Sequence, residues 1–139
     1  MFDDASLQAF DRMLEKAALA VPENIASQLS DIKQRVVRIS RQAGGAACDE
    51  HFTMEDRMYL IECVRRYLPD SLESYLLIPA QQRTIVAIEG HNTAAQVLAG
   101  QLDLILLELT KCESKITKTS AEKLLKQQRF LESKRSKTA

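Results

Sequence analysis

A chain of 139 residues, 45% apolar and 27% charged, has the size and composition of one ordinary globular domain. Four glycines, three prolines and 5% aromatics are too few for the many turns of a β-sandwich or barrel, which leaves an all-α fold. The formal net charge of zero conceals a division: residues 1–110 carry 10 Lys+Arg against 16 Asp+Glu, and residues 111–139 carry 9 against 3. A sequence pI near 6.7 argues against a dedicated nucleic-acid binder, although a local basic segment can still meet phosphates.

The first helix is expected over residues 4–20, with Asp3, Asp4 or Ser6 near its cap. Leu7, Phe10, Leu14, Ala17 and Val21 recur at steps of three and four, the spacing that keeps one seam against a partner helix. Pro22 suits the first turn of a second helix over residues 22–43, whose stripe is Ile25, Leu29, Ile32, Val36, Ile39 and Ala43. Gly44 and Gly45 stop it. Thr53, followed by Glu55 and Asp56, caps a third helix over residues 53–68 with Met54, Met58, Ile61, Val64 and Leu68 inward. Pro69 and Asp70 read as a break, residues 71–77 as a short fourth helix, and residues 80–89 as a further turn or two of helix before a break at Gly90-His91-Asn92.

The remainder reads as a helical hairpin. Leu98, Leu102, Ile105, Leu109, Cys112 and Ile116 form the longest stripe, broadened by Leu104, Leu106 and Leu107, which makes this helix the expected centre of the bundle. Thr119-Ser120-Ala121-Glu122 has the form of a capping box and predicts a separate last helix to about Lys134. The fold class is therefore an antiparallel bundle of about five helices with a C-terminal helical hairpin: residues 1–134 one domain, residues 135–139 a frayed basic tail.

Chemistry is sparse. Cys48-Asp49-Glu50-His51 gathers thiol, carboxylates and imidazole, but adjacent side chains diverge where metal ligands need to converge, so no metal and no other cofactor is expected. His91 reads as a loop histidine, and Cys63 and Cys112 as core thiols. Acidic pairs such as Glu55/Asp56 sit at helix starts, where the dipole favours them without any catalytic role. No phosphate loop, GxSxG or HExxH motif occurs, and no enzymatic activity is expected. Arg65-Arg66-Tyr67 has the geometry to clamp a carboxylate or phosphate; the plainer reading pairs the arginines with Glu62, Asp70 or Glu73. An acidic N-terminal Met1-Phe2-Asp3-Asp4 and the lack of a long apolar run predict a cytoplasmic protein with reduced thiols.

Tyr67-Leu68-Pro69-Asp70-Ser71-Leu72-Glu73-Ser74-Tyr75-Leu76, then Ile78-Pro79 and Arg83, resembles a segment of poorly characterised bacterial helical proteins. Gly90-His91-Asn92-Thr93, Gln101 to Leu109 and Arg129-Phe130-Leu131-Glu132 occupy the places that follow it. That resemblance covers about residues 59–132, and the chain is also similar to the bromo-chloroindolyl phosphate hydrolysis family, which has a comparable Tyr-Leu-Pro helical segment. The resemblance implies a bacterial helical domain and supplies no catalytic residues.

The expected function is a non-catalytic protein–protein interaction module, with a protein partner or a second copy and no small-molecule substrate. Leu60, Leu77, Leu106 and Leu107, apolar and outside the stripes, are the candidate partner surface or else core. The alternative is binding to anionic lipid or nucleic acid, with Arg65, Arg66, Lys123, Lys126, Arg129, Lys134 and Arg135 as candidate anion-binding residues.

Overall fold

The computed structural model describes residues 2–43 and 51–138. Gly44, Gly45 and the Cys48-Asp49-Glu50 part of the thiol–carboxylate cluster lie outside these residues. Helix α1 (Asp4–Ala18) begins where Asp3 Oδ1 accepts from the Ser6 N–H at 2.7 Å, and that bond holds the Asp3 carboxyl below the usual carboxylate range. Helix α2 (Glu23–Ala43) starts just after Pro22, whose carbonyl accepts from the N–H groups of Ile25 and Ala26. Thr53 and Asp56 close a reciprocal capping box on α3 (Met54–Glu62): Thr53 Oγ1 accepts from Asp56 N–H while the Asp56 carboxylate accepts from Thr53 N–H.

Pro69 does not break the chain into two helices. A five-residue π turn (Cys63–Tyr67) joins α3 directly to α4 (Leu68–Leu77). Proline in a regular helix collides with the carbonyl four residues back. Widening the ladder immediately before Pro69 makes room for its ring, so the rod continues. Where further helix was expected over residues 80–89, a single 3₁₀ turn (Ala80–Gln82) gives way to a two-stranded antiparallel ribbon of β1 (Ala87–Glu89) and β2 (Asn92–Thr93). Gly90, at φ +56°, supplies the left-handed residue its reversal needs.

The expected C-terminal hairpin is absent. Helix α5 (Ala94–Thr138) runs unbroken for 45 residues, straight through Thr119. Its real cap is Thr93, whose Oγ1 accepts from Gln96 N–H while Gln96 Oε1 accepts from Thr93 N–H at 2.8 Å. Thr119 instead turns its hydroxyl back to donate to the Lys115 carbonyl, a bond compatible with mid-helix geometry. With α3, the π turn and α4 counted as one rod, the described chain has four helices rather than five.

Their stripes meet in one contiguous core that extends from Phe2 to Ile116. Ile25, Leu29, Ile32, Val36 and Ile39 of α2 and Leu98, Leu102, Ile105, Leu109, Cys112 and Ile116 of α5 are all buried. The more extensive helix contact is between these two elements. They run parallel: Gln28 meets Ala99 and Asp103, and Arg35 and Arg38 meet Glu113. The pairs α1/α2 and rod/α5 are antiparallel, fixed by Lys33 on Asp11 and Lys115 on Asp56. On α3 the inner face differs from expectation. Met54 and Met58 are exposed, and Leu60 and Cys63 take the core positions.

Candidate functional site

Among the described side chains the last buried one of α5 is Ile116, and all from Ser120 to Arg135 are exposed. At 1.5 Å per residue the helix extends about 30 Å past Ile116. Two polar contacts mark where it leaves the body. Lys115 Nζ lies 2.7 Å from Asp56 Oδ1, and His51 Nε2 lies 2.9 and 3.0 Å from the two oxygens of the Glu122 carboxylate. Desolvation acts to raise the Asp56 carboxyl, but the bonds from Lys115 and Thr53 outweigh it and hold it low; Lys115 is raised in turn by its bond to Asp56.

The overhang is helical because of what it is made of. Ala, Glu, Lys, Leu, Gln and Arg dominate residues 121–135, all strong helix formers. The packed half of α5 has already supplied the costly nucleus, so each further residue needs only to propagate. Gln128 Nε2 donates to Glu132 Oε1 one turn on, and the Lys134 ammonium lies 5.6 Å from the Phe130 ring centre.

Beyond Ile116 the core seam of α5 loses its apolar character. The positions that continue it at steps of three and four, Thr119, Lys123, Lys126, Phe130 and Ser133, are polar or basic except for Phe130. A new stripe, Ala121, Leu124 and Leu131 with Leu125 at its edge, lies about a quarter turn round the helix from that seam. Leu124 is 72% exposed, and Leu125, Phe130 and Leu131 are each about half exposed. The overhang therefore carries Leu124 and Leu131 on one side, together with Gln128 and Arg135, and Lys123, Lys126, Arg129 and Lys134 with Phe130 on another.

The opposite end of the molecule carries a groove between α4, β1 and the start of α5. Its volume is about 270 Å³, and Ser71, Ser74, Tyr75, Ile88, Val97 and Gln101 are among its walls. Val97, Gln101 and the exposed Leu104 form one row along α5. Around this end Leu77 and Ile85 are each 79% exposed and Val86 and Ile88 about half exposed. Residues 68–110 hold Asp70, Glu73, Glu89, Asp103 and Glu108 against one basic residue, Arg83. That guanidinium is engaged inside the fold: Nε and an Nη donate to the carbonyls of Ile78 and Leu76 at 2.8 Å, and the group stacks 5.4 Å from the Tyr75 ring centre.

The four candidate partner residues separate. Leu60 is wholly buried and belongs to the core, which removes it from any surface, and Leu106 is half-buried against that core. Leu77 and Leu107 are exposed, Leu77 at the groove end and Leu107 on the outer face of α5. Arg66 pairs with Glu62 at 2.9 Å and stacks 5.0 Å from the Tyr67 ring centre, as the plainer reading of that trio expects. Arg65 is exposed at the edge of a second hollow, also of about 270 Å³, formed with Phe2, Ser6 and Phe10. Lys123, Lys126, Arg129, Lys134 and Arg135 all lie on the overhang. Arg65 and Arg66, on the π turn, are remote from them in the chain.

Cys63 and Cys112 are buried free thiols, each pushed up to about 11 by burial. At neutral pH they are protonated, and poor nucleophiles or ligands. No group of three or more His, Cys, Asp or Glu side chains among the described residues could hold a metal ion, and no helix among them is long and apolar enough to cross a membrane. Sequence reasoning missed the groove, because it is walled by residues thirty positions apart. It missed the overhang because Thr119 looked like a new beginning. The change of apolar phase after Ile116 was the available signal.

No protein-family model, no curated protein and no solved structure matches the chain.

Proposed function

We propose that this protein is a non-catalytic interaction module of the cytoplasm whose docking element is the overhang of α5. One observation carries the reading: a helix segment of about 30 Å holds four large apolar side chains in solvent and buries none of them in its own fold. Exposed apolar residues scattered singly are ordinary on any protein. Leucines at helical spacing on a projecting amphipathic helix are the form in which one helix enters a groove of another protein. The absence of a catalytic motif in the sequence supports the non-catalytic part.

A second reading is favoured by the other side of the same helix. Lys123, Lys126, Arg129 and Lys134 share that side with Phe130, an arrangement suited to an anionic lipid surface, where each basic residue adds about 1 kcal/mol. Two full-length variants separate the readings. Leu124→Glu/Leu131→Glu removes the apolar stripe, and a variant with Gln at Lys123, Lys126, Arg129 and Lys134 removes the charge. The module reading expects a stoichiometric protein partner, captured from nuclease-treated lysate, to be lost with the first variant. The lipid reading expects binding to phosphatidylserine vesicles, lost with the second variant and in about 0.5 M salt. If neither variant changes anything the protein binds, the overhang is not the docking element.

A further inference from the structure

The two ends of this chain are complementary. The overhang is basic, with Lys118, Lys123, Lys126, Arg129, Lys134, Arg135 and Lys137 against Glu122 and Glu132, and it presents a leucine stripe. The groove end is acidic, with Asp70 in its wall and Glu73, Glu89 and Asp103 one or two residues from wall positions, and its walls set Tyr75, Ile88 and Val97 beside Ser71, Ser74 and Gln101. We propose that the overhang of one copy docks into the α4–β1–α5 groove of a second copy, so that the protein assembles head to tail. The proposal rests on the reading of the overhang as docking element and names its partner.

Three observations lead to a second copy and to this pairing. First, a chain cannot satisfy its own groove. The groove uses Val97 and Gln101 and the stripe uses Leu124 and Leu131 of the same unbroken helix, which holds them about 40 Å apart. Second, overhang cannot pair well with overhang, because seven basic residues against two acidic ones would face the same set across the contact. Third, Leu124 and Leu131 stand two turns apart, the i and i+7 anchors of a helix in a groove, and a groove of about 270 Å³ exceeds the roughly 150 Å³ that holds a benzene.

A head-to-tail contact uses two different patches and leaves one of each free at the ends, so assembly stays open unless a ring closes. One helix in one groove covers less than about 1,200 Å², the range of weak contacts, so association depends on concentration and on salt.

The test is sedimentation velocity on the full-length protein from about 10 µM to about 500 µM, at low salt and at about 0.5 M salt. The average mass is expected to rise with concentration at low salt and to fall back in high salt. Leu124→Glu/Leu131→Glu and, separately, Ser74→Arg/Gln101→Arg change only exposed residues and are each expected to be monomeric. Mixed one to one, they leave a single intact overhang and a single intact groove, and a discrete dimer is expected. Circular dichroism on both variants checks that the fold is kept. Association of the groove variant at wild-type strength, a mixture without dimer, or a wild-type chain monomeric throughout would each overturn the proposal. If the wild-type chain is monomeric yet the stripe variant loses a protein partner from lysate, the second copy is excluded and the module reading stands.

Discussion

Ser120→Pro asks whether α5 is one helix. If Thr119 were the N-cap of a separate last helix, residue 120 would be its first position, where proline is welcome because its missing N–H has no partner there and its φ is already helical. In the continuous helix residue 120 is interior. Proline there deletes the bond to the Ile116 carbonyl and drives its ring against that carbonyl, a cost of about 3 kcal/mol. The consequence falls on one side of the substitution. Residues up to Ile116 are fastened by core packing, whereas residues 121–138 are helical only by propagation from them. Cut off behind a proline, the segment must nucleate afresh; even Ala-rich isolated helices are marginal below about 12–15 residues, and this one is little longer and holds a single Ala. We expect Ser120→Pro to lose about a sixth of the far-ultraviolet helical signal, the share that residues 121–138 hold among the described helices, while the cooperative thermal transition of the body moves little. Ser120→Ala should match or slightly exceed wild type. Undiminished helicity in the proline variant would refute the continuous helix and restore the hairpin.

Leu60→Ala and Leu102→Ala, at fully buried positions, should each cost about 2.7–5 kcal/mol in urea unfolding, while Leu107→Ala, 52% exposed, should stay within about 0.5 kcal/mol. Equal effects would mean that the division of the leucines between core and surface is wrong. Cys63 and Cys112, protonated and buried, should resist iodoacetamide in native protein at pH 7.5 and react once urea unfolds it; rapid native labelling at both would contradict their placement. Asp56, held below its usual range, contributes stability that is present above its unfolded value near 3.9 and is lost as pH falls through the folded one. Lys115, raised, contributes below its unfolded value near 10.4 and loses that contribution as pH rises through its folded one. Asp56→Asn keeps a capping side chain and removes the charge. It should cost roughly 1 kcal/mol at pH 7 by chemical denaturation, with the difference fading below about pH 4. A difference independent of pH would assign the effect to the cap alone.

What the sequence determined by itself is the set of helix faces. The stripes of α1, α2 and the first half of α5 were legible because a step of three or four is a geometric property of any helix that buries one side. The Thr53 cap was legible for a similar reason: its partner, Asp56, is three residues away. Other matters rest on comparisons that no local window contains. Thr93-Ala94-Ala95-Gln96 and Thr119-Ser120-Ala121-Glu122 have equally good cap chemistry, yet only the first is used. Before Thr93 the chain must reverse through Gly90 to bring α5 back against α4 and α2. After Ile116 the seam keeps Phe130 as its one large apolar residue up to Ser133, and the helix continues without reversing. Pro69 is decided in the same way. A break would separate Leu68 from Leu72 and Tyr75, all of them buried, and a π turn keeps them on one side of a single rod. Met54 and Met58 fit the helical period as well as Leu60 and Cys63 do, and only the position of α5 beside α3 selects the second pair. The groove and the overhang are further from local reading still. They exist because one continuous helix lines an acidic groove at one end and carries a basic leucine stripe past the other.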